Sequence, residues 1–327
     1  MERRSGRVCR RGLKVLALAL GVMLLGSSNV AAQTKMHLGI IQSVTALPLF
    51  WLQEQDLKKE YGIDLKITVF ARPTEMYTSF KGKRTDGSYI GIVTAYNFME
   101  GGVPVNLIRP WIYPRQFGII VKKDAPFKTL QDLRGRTFST PSISGTEYIL
   151  SRVAFQIAGV DLEKELKVSS SAPAASIGAI GTNKLDSTII WHPSLAKALA
   201  TGEYRILAKP QDLYEQKYGG LFPQFGIGFH RDYYEKNRAA LKSFVKALDV
   251  AIARTYSHPD EVDAIGAKKL DLDMKTMKEI RVYFGDAWMR TGLDEKAWKQ
   301  VQDFYKLVKD LGFIKEVPNA KEIWTLP

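Results

Sequence analysis

Short apolar runs, each closed by a Gly, Pro or polar turn and followed by apolar residues at helical spacing, recur through two thirds of the chain beyond residue 33. That alternation is what a largely parallel sheet requires, because each parallel strand needs a crossover helix to bring the chain back. Strands are expected at His37–Gln42, Leu65–Phe70, Ser88–Val93 and Val105–Ile108. The helices between them begin near Pro48, Thr74 and Tyr96, and Gly62, Gly82 and Gly101 stand where helices stop.

The alternation breaks at 109–115, where Pro110 and Pro114 have no N–H to give to a central strand. This stretch reads as a crossover to a second series. Strands at 117–121, 136–139, 166–169, 186–191 and 204–207 alternate with helices at 130–134, 147–158 and 174–182 and one opened by Pro193. After a polar passage with Gly219 and Gly220, the run Phe225–Phe229 reads as a strand returning to the first series. The remainder is helical, with Leu241, Phe244, Leu248 and Ile252, then Trp298, Val301, Tyr305 and Val308, at the spacing that covers a sheet face. The expected fold is α/β with two lobes, each a sheet flanked by helices: lobe one from 34–112 and 226–327, lobe two from 113–225. A chain that leaves one lobe and returns to it has the connections of a hinged clamp.

Ahead of these series stand Arg3, Arg4, Arg7, Arg10, Arg11 and Lys14, an apolar run from Val15 to Gly26, and the small-residue pattern Val30-x-Ala32. Residues 1–33 read as a signal peptide removed on export to the periplasm, since the apolar run is well short of the roughly 20 residues that span a bilayer. Arg10-Arg11 leaves both the general and the twin-arginine routes open. Cys9 is the one cysteine and is lost with that segment, which removes disulfides, thiolate-bound metal and cysteine nucleophiles from consideration. The remaining 294 residues favour about two domains and carry 41 basic against 33 acidic residues, a net charge of +8. The basic residues are spread along the chain, so a solvated surface or the steering of an anion fits them better than nucleic acid.

No catalytic pattern is present in the sequence. His37, His192, His230 and His258 are scattered, and there is no Gly-x-Ser-x-Gly elbow, phosphate loop or dinucleotide fingerprint. Asp271-x-Asp273 reads as a helix cap. The expectation is therefore no catalytic residues, no cofactor and no metal. In open α/β sheets ligands lie beyond the carboxyl ends of strands, where helices point their N-termini inward. The clearest such loop holds Ser142, Ser144, Gly145 and Thr146 before the helix from Glu147, an arrangement suited to a carboxylate, sulfonate or phosphate oxygen. An N-cap without a ligand is the plainer alternative. The matching loops of lobe one contain Gln42, Ser43 and Thr45, then Arg72, then Thr94 and Tyr96. Ser171, Trp191 and His192 face them from lobe two, with Trp191 either a stacking surface for the ligand or core packing, and His192 a satisfied polar residue among the solute contacts rather than a charge switch.

These features together resemble the periplasmic solute-binding proteins of ABC importers of the nitrate, sulfonate and taurine type and the related thiamine-pyrimidine precursor type. The resemblance rests on Leu38–Pro48, Glu60-Tyr61-Gly62-Ile63-Asp64-Leu65, Gly102-Val103-Pro104-Val105, Leu130-Gln131-Asp132-Leu133-Arg134-Gly135-Arg136 and Ser142–Thr146, in that order, and covers nearly all of the chain beyond the signal. It implies a type II clamp that closes on a small solute and delivers it to an ABC permease in the inner membrane. Tyr113 and Arg115 mark the hinge, and Tyr113 joins the expected solute contacts. Where the family has Ala-Ser-Gly-Glu-Xaa-Asp-Xaa-Gly before the third strand, this chain has Lys81-Gly82-Lys83-Arg84-Thr85-Asp86-Gly87-Ser88. The solute expected is a small organic anion, a sulfonate or carboxylate that can be aromatic, bound by a monomer without nucleic acid. The alternatives are a neutral pyrimidine, nitrate or bicarbonate, a receptor serving a membrane sensor, and an enzyme like the pyrimidine-precursor synthases.

Overall fold

A computed structural model describes residues 33–325, so the expected signal peptide lies, but for Gln33, outside the described residues. From Thr34 onward the chain forms one unit built on two five-stranded sheets. The first has the order β2-β1-β3-β10-β4, made from β1 (Thr34–Ile41), β2 (Ile63–Phe70), β3 (Gly87–Gly91), β4 (Val105–Ile112) and the returning β10 (Phe225–His230). The second has the order β7-β6-β8-β5-β9, from β5 (Phe117–Lys122), β6 (Thr137–Thr140), β7 (Lys167–Ser170), β8 (Ser187–Trp191) and β9 (Tyr204–Ala208). Each sheet is mixed: β10 runs antiparallel to β3 and β4, and β5 runs antiparallel to β8 and β9. In each, the one antiparallel strand lies inside a set joined in parallel by helices, a placement that the largely parallel pattern of the sequence does not reveal.

The helices of the first series are α1 (Leu47–Gln53), α2 (Leu57–Tyr61), α3 (Pro73–Lys81) and α4 (Ile92–Glu100). Pro73 is pre-set for the first turn of α3, and Gly62, at φ 68°, closes α2 in the left-handed conformation that a side chain would resist. The second series holds α5 (Thr146–Ile157), α6 (Leu162–Glu165), α7 (Pro173–Gly181), α8 (Ser194–Ala200) and α9 (Pro210–Tyr218). Helices α10 (Arg231–Lys236), α11 (Arg238–Ser257), α12 (Pro259–Leu270), α13 (Met274–Phe284), α14 (Glu295–Asp310) and α15 (Ala320–Ile323) complete the fold. Asp273 caps α13 by accepting from the Thr276 N–H at 2.8 Å, as its position suggested. Among the described residues no helix is long and apolar enough to cross a membrane.

Three local expectations are corrected. Strand β4 continues through Pro110 to Ile112, and the crossover begins only at Tyr113. Proline is tolerated there because β4 is an edge strand whose register with β10 shifts beside Gly226, Pro110's partner. Ile92 and Val93 belong to α4 and not to β3, since Gly91 turns the chain into the helix four residues before Tyr96. The polar passage before Gly219 is helical as α9, its low apolar content having hidden the period.

The core is continuous from the first sheet into the helices that cover it, with Leu38, Ile40, Leu107, Leu241, Phe244 and Leu248 all fully enclosed. The edge of β4 is closed by isolated bridges from Trp324 to Leu107 and from Trp288 to Ile112. Arg109 stands inside this packing, donating to Asp249 at 2.8 Å and to the carbonyls of Pro110, Met289 and Thr291 at 2.6, 2.9 and 3.0 Å. A guanidinium that donates from all three of its nitrogens fastens the C-terminal segment to the sheet edge.

Candidate functional site

The carboxyl end of β1 delivers a short 3-10 turn, Val44–Ala46, whose N-cap is Ser43. The Ser43 hydroxyl accepts from the Thr45 N–H at 3.2 Å and donates to the carbonyl of His192 at 3.3 Å, reaching from the first sheet to the end of β8 in the second. The turn is pinned from behind, because the indole N–H groups of Trp111 and Trp288 both donate to the Thr45 carbonyl, at 3.0 and 3.1 Å. In front of it, the Tyr89 hydroxyl on β3 accepts from the Ile41 N–H and the Thr45 hydroxyl at 3.2 and 3.3 Å. Both of the phenol's acceptor sites are thereby used, so its own proton is left for a further partner.

The first turns of α3 bring Pro73, Met76 and Tyr77 to the same space, and their spacing puts them on one helix face. From the second sheet come Phe117 at the start of β5, Trp191 at the end of β8, and Gly145, Thr146 and Glu147 at the start of α5. Gln116 on the first crossover and Phe225 at the start of β10 close the ring, with Phe225 edge-on to Tyr89 at 5.2 Å. The Gln116 amide donates to the Gln224 amide oxygen at 2.9 Å, so the two crossovers are tied to each other at the back of the site. The cavity these side chains line is narrow, with a volume of about 30 Å³. A slot with aromatic walls and few polar groups suits a flat molecule.

The start of α5 carries the one ionisable acid of the lining. Gly145 is the N-cap and offers no side chain, and Glu147 in the first turn is 4 % exposed. Its carboxylate folds back over Gly145, so closely that a Cβ there would lie 2.3 Å from Oε1. Burial pushes the Glu147 carboxyl up to about 7, against the pull of backbone N–H groups at Glu147 itself and at Ser142. Its Oε1 has no hydrogen-bond partner, and no lysine, arginine or histidine lines the cavity among the described residues. Tyr77 is pushed up to about 12 and Tyr89 higher still, both first by burial, so both are neutral donors at any ordinary pH.

Of the residues expected from the sequence, Ser43, Thr45, Gly145, Thr146 and Trp191 are brought together around the slot. The others do not line it. Gln42 is exposed, and its N–H is spent on the Phe70 carbonyl. Arg72 caps α3 from outside, half-buried, with its Nε buried and unpartnered. Thr94 is buried behind Gly91, and Tyr96 turns towards Tyr305, their rings 6.5 Å apart. Tyr113 lies with Arg115 and Glu215 in a separate surface groove on the crossover. The Ser142 and Ser144 hydroxyls bond to each other at 3.2 Å, with Ser144 exposed. Ser171 belongs to a cluster with Ser139 and Ser176, at 3.0 and 2.6 Å. His192 is held by packing edge-on to Tyr283 at 4.6 Å; burial, with Lys209 nearby, lowers it to about 3 and keeps its ring neutral.

The missed residues are Ile41, Pro73, Met76, Tyr77, Tyr89, Gln116, Phe117, Glu147 and Phe225. Pro73, Met76 and Tyr77 share a helix face after a strand, a signal that was available. Glu147 was hidden by its position, because an acid in a first helical turn is ordinarily a solvated complement to the helix dipole. Among the described residues no group of three or more His, Cys, Asp or Glu is placed to hold a metal.

The family model described as NMT1/THI5 like matches residues 46–262. A curated relative from Escherichia coli (strain K12), named as an aliphatic sulfonates-binding protein, is 28 % identical over 159 residues, which are 49 % of this chain and 47 % of that one. The match thus spans about half the length of that relative. Among solved structures, the periplasmic aliphatic sulphonate binding protein SsuA of Escherichia coli superposes with a TM-score of 0.73 at 18 % identity, over 90 % of this chain and 92 % of that one. The alkanesulfonate-binding protein SsuA of Xanthomonas axonopodis pv. citri bound to MOPS gives 0.76 at 14 % identity over 90 % and 98 %. The periplasmic nitrate-binding protein NrtA of Synechocystis PCC 6803 gives 0.68 at 16 % over 89 % and 84 %. These likenesses establish the two-lobe periplasmic binding protein fold.

Proposed function

The chain belongs to the NMT1/THI5-like family, and from that premise we propose that it is the solute-binding component of an ABC importer. It captures a small, flat molecule between its two sheets and releases it unchanged to a membrane permease. The observation that carries the reading is the slot itself: residues from β1, α3 and β3 on one side, and from β5, β8 and α5 on the other, enclose a single narrow space. The proposed lobes are 34–112 with 226–327, and 113–225, joined by the crossovers that Gln116 and Gln224 tie together. Reversible capture fits the lining, in which no acid, base and nucleophile are gathered in hydrogen-bond reach of one another. Delivery takes place in the periplasm on this reading, with the basic, apolar N-terminal segment serving as the export signal.

An aromatic body satisfies the walls for both solutes considered from the sequence, an aromatic anion and a neutral pyrimidine, because Trp191, Tyr89, Phe117 and Phe225 line the slot. Nitrate and bicarbonate leave most of that apolar surface uncovered. The test is a thermal-shift screen of purified protein against sulfonates, carboxylates, nitrate, bicarbonate and pyrimidines. A solute at a hundred times its Kd stabilises the folded state by about 2.7 kcal/mol, and small-angle scattering of the same sample contracts as the lobes close. A screen with no stabilising compound, or purified protein carrying pyridoxal absorbance, overturns the reading.

A further inference from the structure

We infer that Glu147 sets the class of solute the slot accepts: a flat ring bearing an N–H donor, as an amino or amidino group, that donates to its carboxylate. This rests on the solute-binding reading and fixes the polar end of the ligand within it. The start of α5 was expected to receive an oxyanion, but the Glu147 carboxylate already occupies that place. It lies over Gly145, the N-cap of α5, where an incoming anion would otherwise sit. A sulfonate or carboxylate entering here finds no lysine, arginine or histidine in the lining to pair with it. A donor meets the opposite situation. Glu147 Oε1 is a buried acceptor without a partner, in a class of atom that folded proteins almost always satisfy. Gln116, in the same lining, has a second buried amide atom without a partner. The aromatic walls add selectivity for a ring.

The experiment is calorimetric titration of four one-ring probes, benzamidine, 4-aminopyrimidine, benzoate and benzenesulfonate, into the wild-type protein, Glu147→Gln and Trp191→Ala. Benzamidine and 4-aminopyrimidine are expected to bind at least tenfold more tightly than the two anions. Glu147→Gln keeps the side-chain shape and is expected to weaken benzamidine about ten- to a hundredfold, the loss of one charge-assisted hydrogen bond. Trp191→Ala weakens every probe that occupies the slot. If benzoate or benzenesulfonate matches benzamidine and Trp191→Ala removes that binding, the donor assignment falls while capture in the slot stands. Benzamidine binding unchanged within twofold by Glu147→Gln overturns the assignment in the same way. Probe binding indifferent to Trp191→Ala, or no binding by any of the four, overturns both.

Discussion

The buried Glu147 carboxyl makes a prediction that needs no ligand. Its unfolded-state value is 4.5 and its folded value about 7, raised by burial. Below pH 4.5 the group is protonated in both states and costs nothing. Between 4.5 and 7 the unfolded chain releases a proton that the folded chain keeps, so stability falls by about 1.4 kcal/mol per pH unit, about 3 kcal/mol in all, and is level above 7. Tyr77 and Tyr89, which share the cavity with it, are held neutral by burial and take no part in this range. Glu147→Gln removes the titration and keeps the shape. Urea unfolding of both proteins at pH 5 and pH 8 is expected to show Glu147→Gln gaining on the wild type by about 2–3 kcal/mol as pH rises, or about 4 °C in Tm. The comparison cancels every other titrating group. A difference between the two proteins that is constant with pH, or that moves in favour of the wild type, would refute the claim that the carboxylate is desolvated without compensation.

Two further outcomes follow from packing. A Cβ at Gly91 would lie 2.6 Å from the Thr146 hydroxyl across the site, so Gly91→Ala is expected to hold the sheets apart; scattering should lose its ligand-induced contraction and affinity should drop at least tenfold, with both restored by adding Thr146→Gly. Arg109→Met leaves the Pro110, Met289 and Thr291 carbonyls without their donor and is expected to cost about 3 kcal/mol, read by urea unfolding with no direct effect on the cavity.

The architecture was legible because it rests on periodicity: every strand expected in the second series lies within a few residues of its observed place, and Gly62, Gly82 and Gly101 do end helices. What misled was chemistry that depends on distant partners. Pro110 looked like a strand breaker because edge position is a property of the sheet and not of the segment. Loop hydroxyls were easy to nominate, yet Ser142, Ser144 and Ser171 bond to one another or to neighbouring serines, as hydroxyls in tight turns commonly do. Ser43, Thr45, Gly145, Thr146 and Trp191 do line the slot, and they were legible because they follow strands, where the rule for open sheets applies. Tyr89 and Phe225 sit in apolar runs and look like core, and only the assembled sheets show that one side of each faces a slot.

The position of β10 between β3 and β4 has a consequence for how the protein is made. The second sheet draws on 117–208 alone and can assemble as soon as that stretch has emerged. The first cannot close until residues 225–230 arrive, so β3 and β4 are left with unpaired edges while more than a hundred residues are still to come. A chain that emerges N-terminus first therefore completes its second sheet before its first, and the long-range pairing is the slow event. Chains ending just before Phe225 are expected to yield a protease-resistant core from 117–208 with the preceding residues digested. Chains extended through the C-terminal helices should protect both.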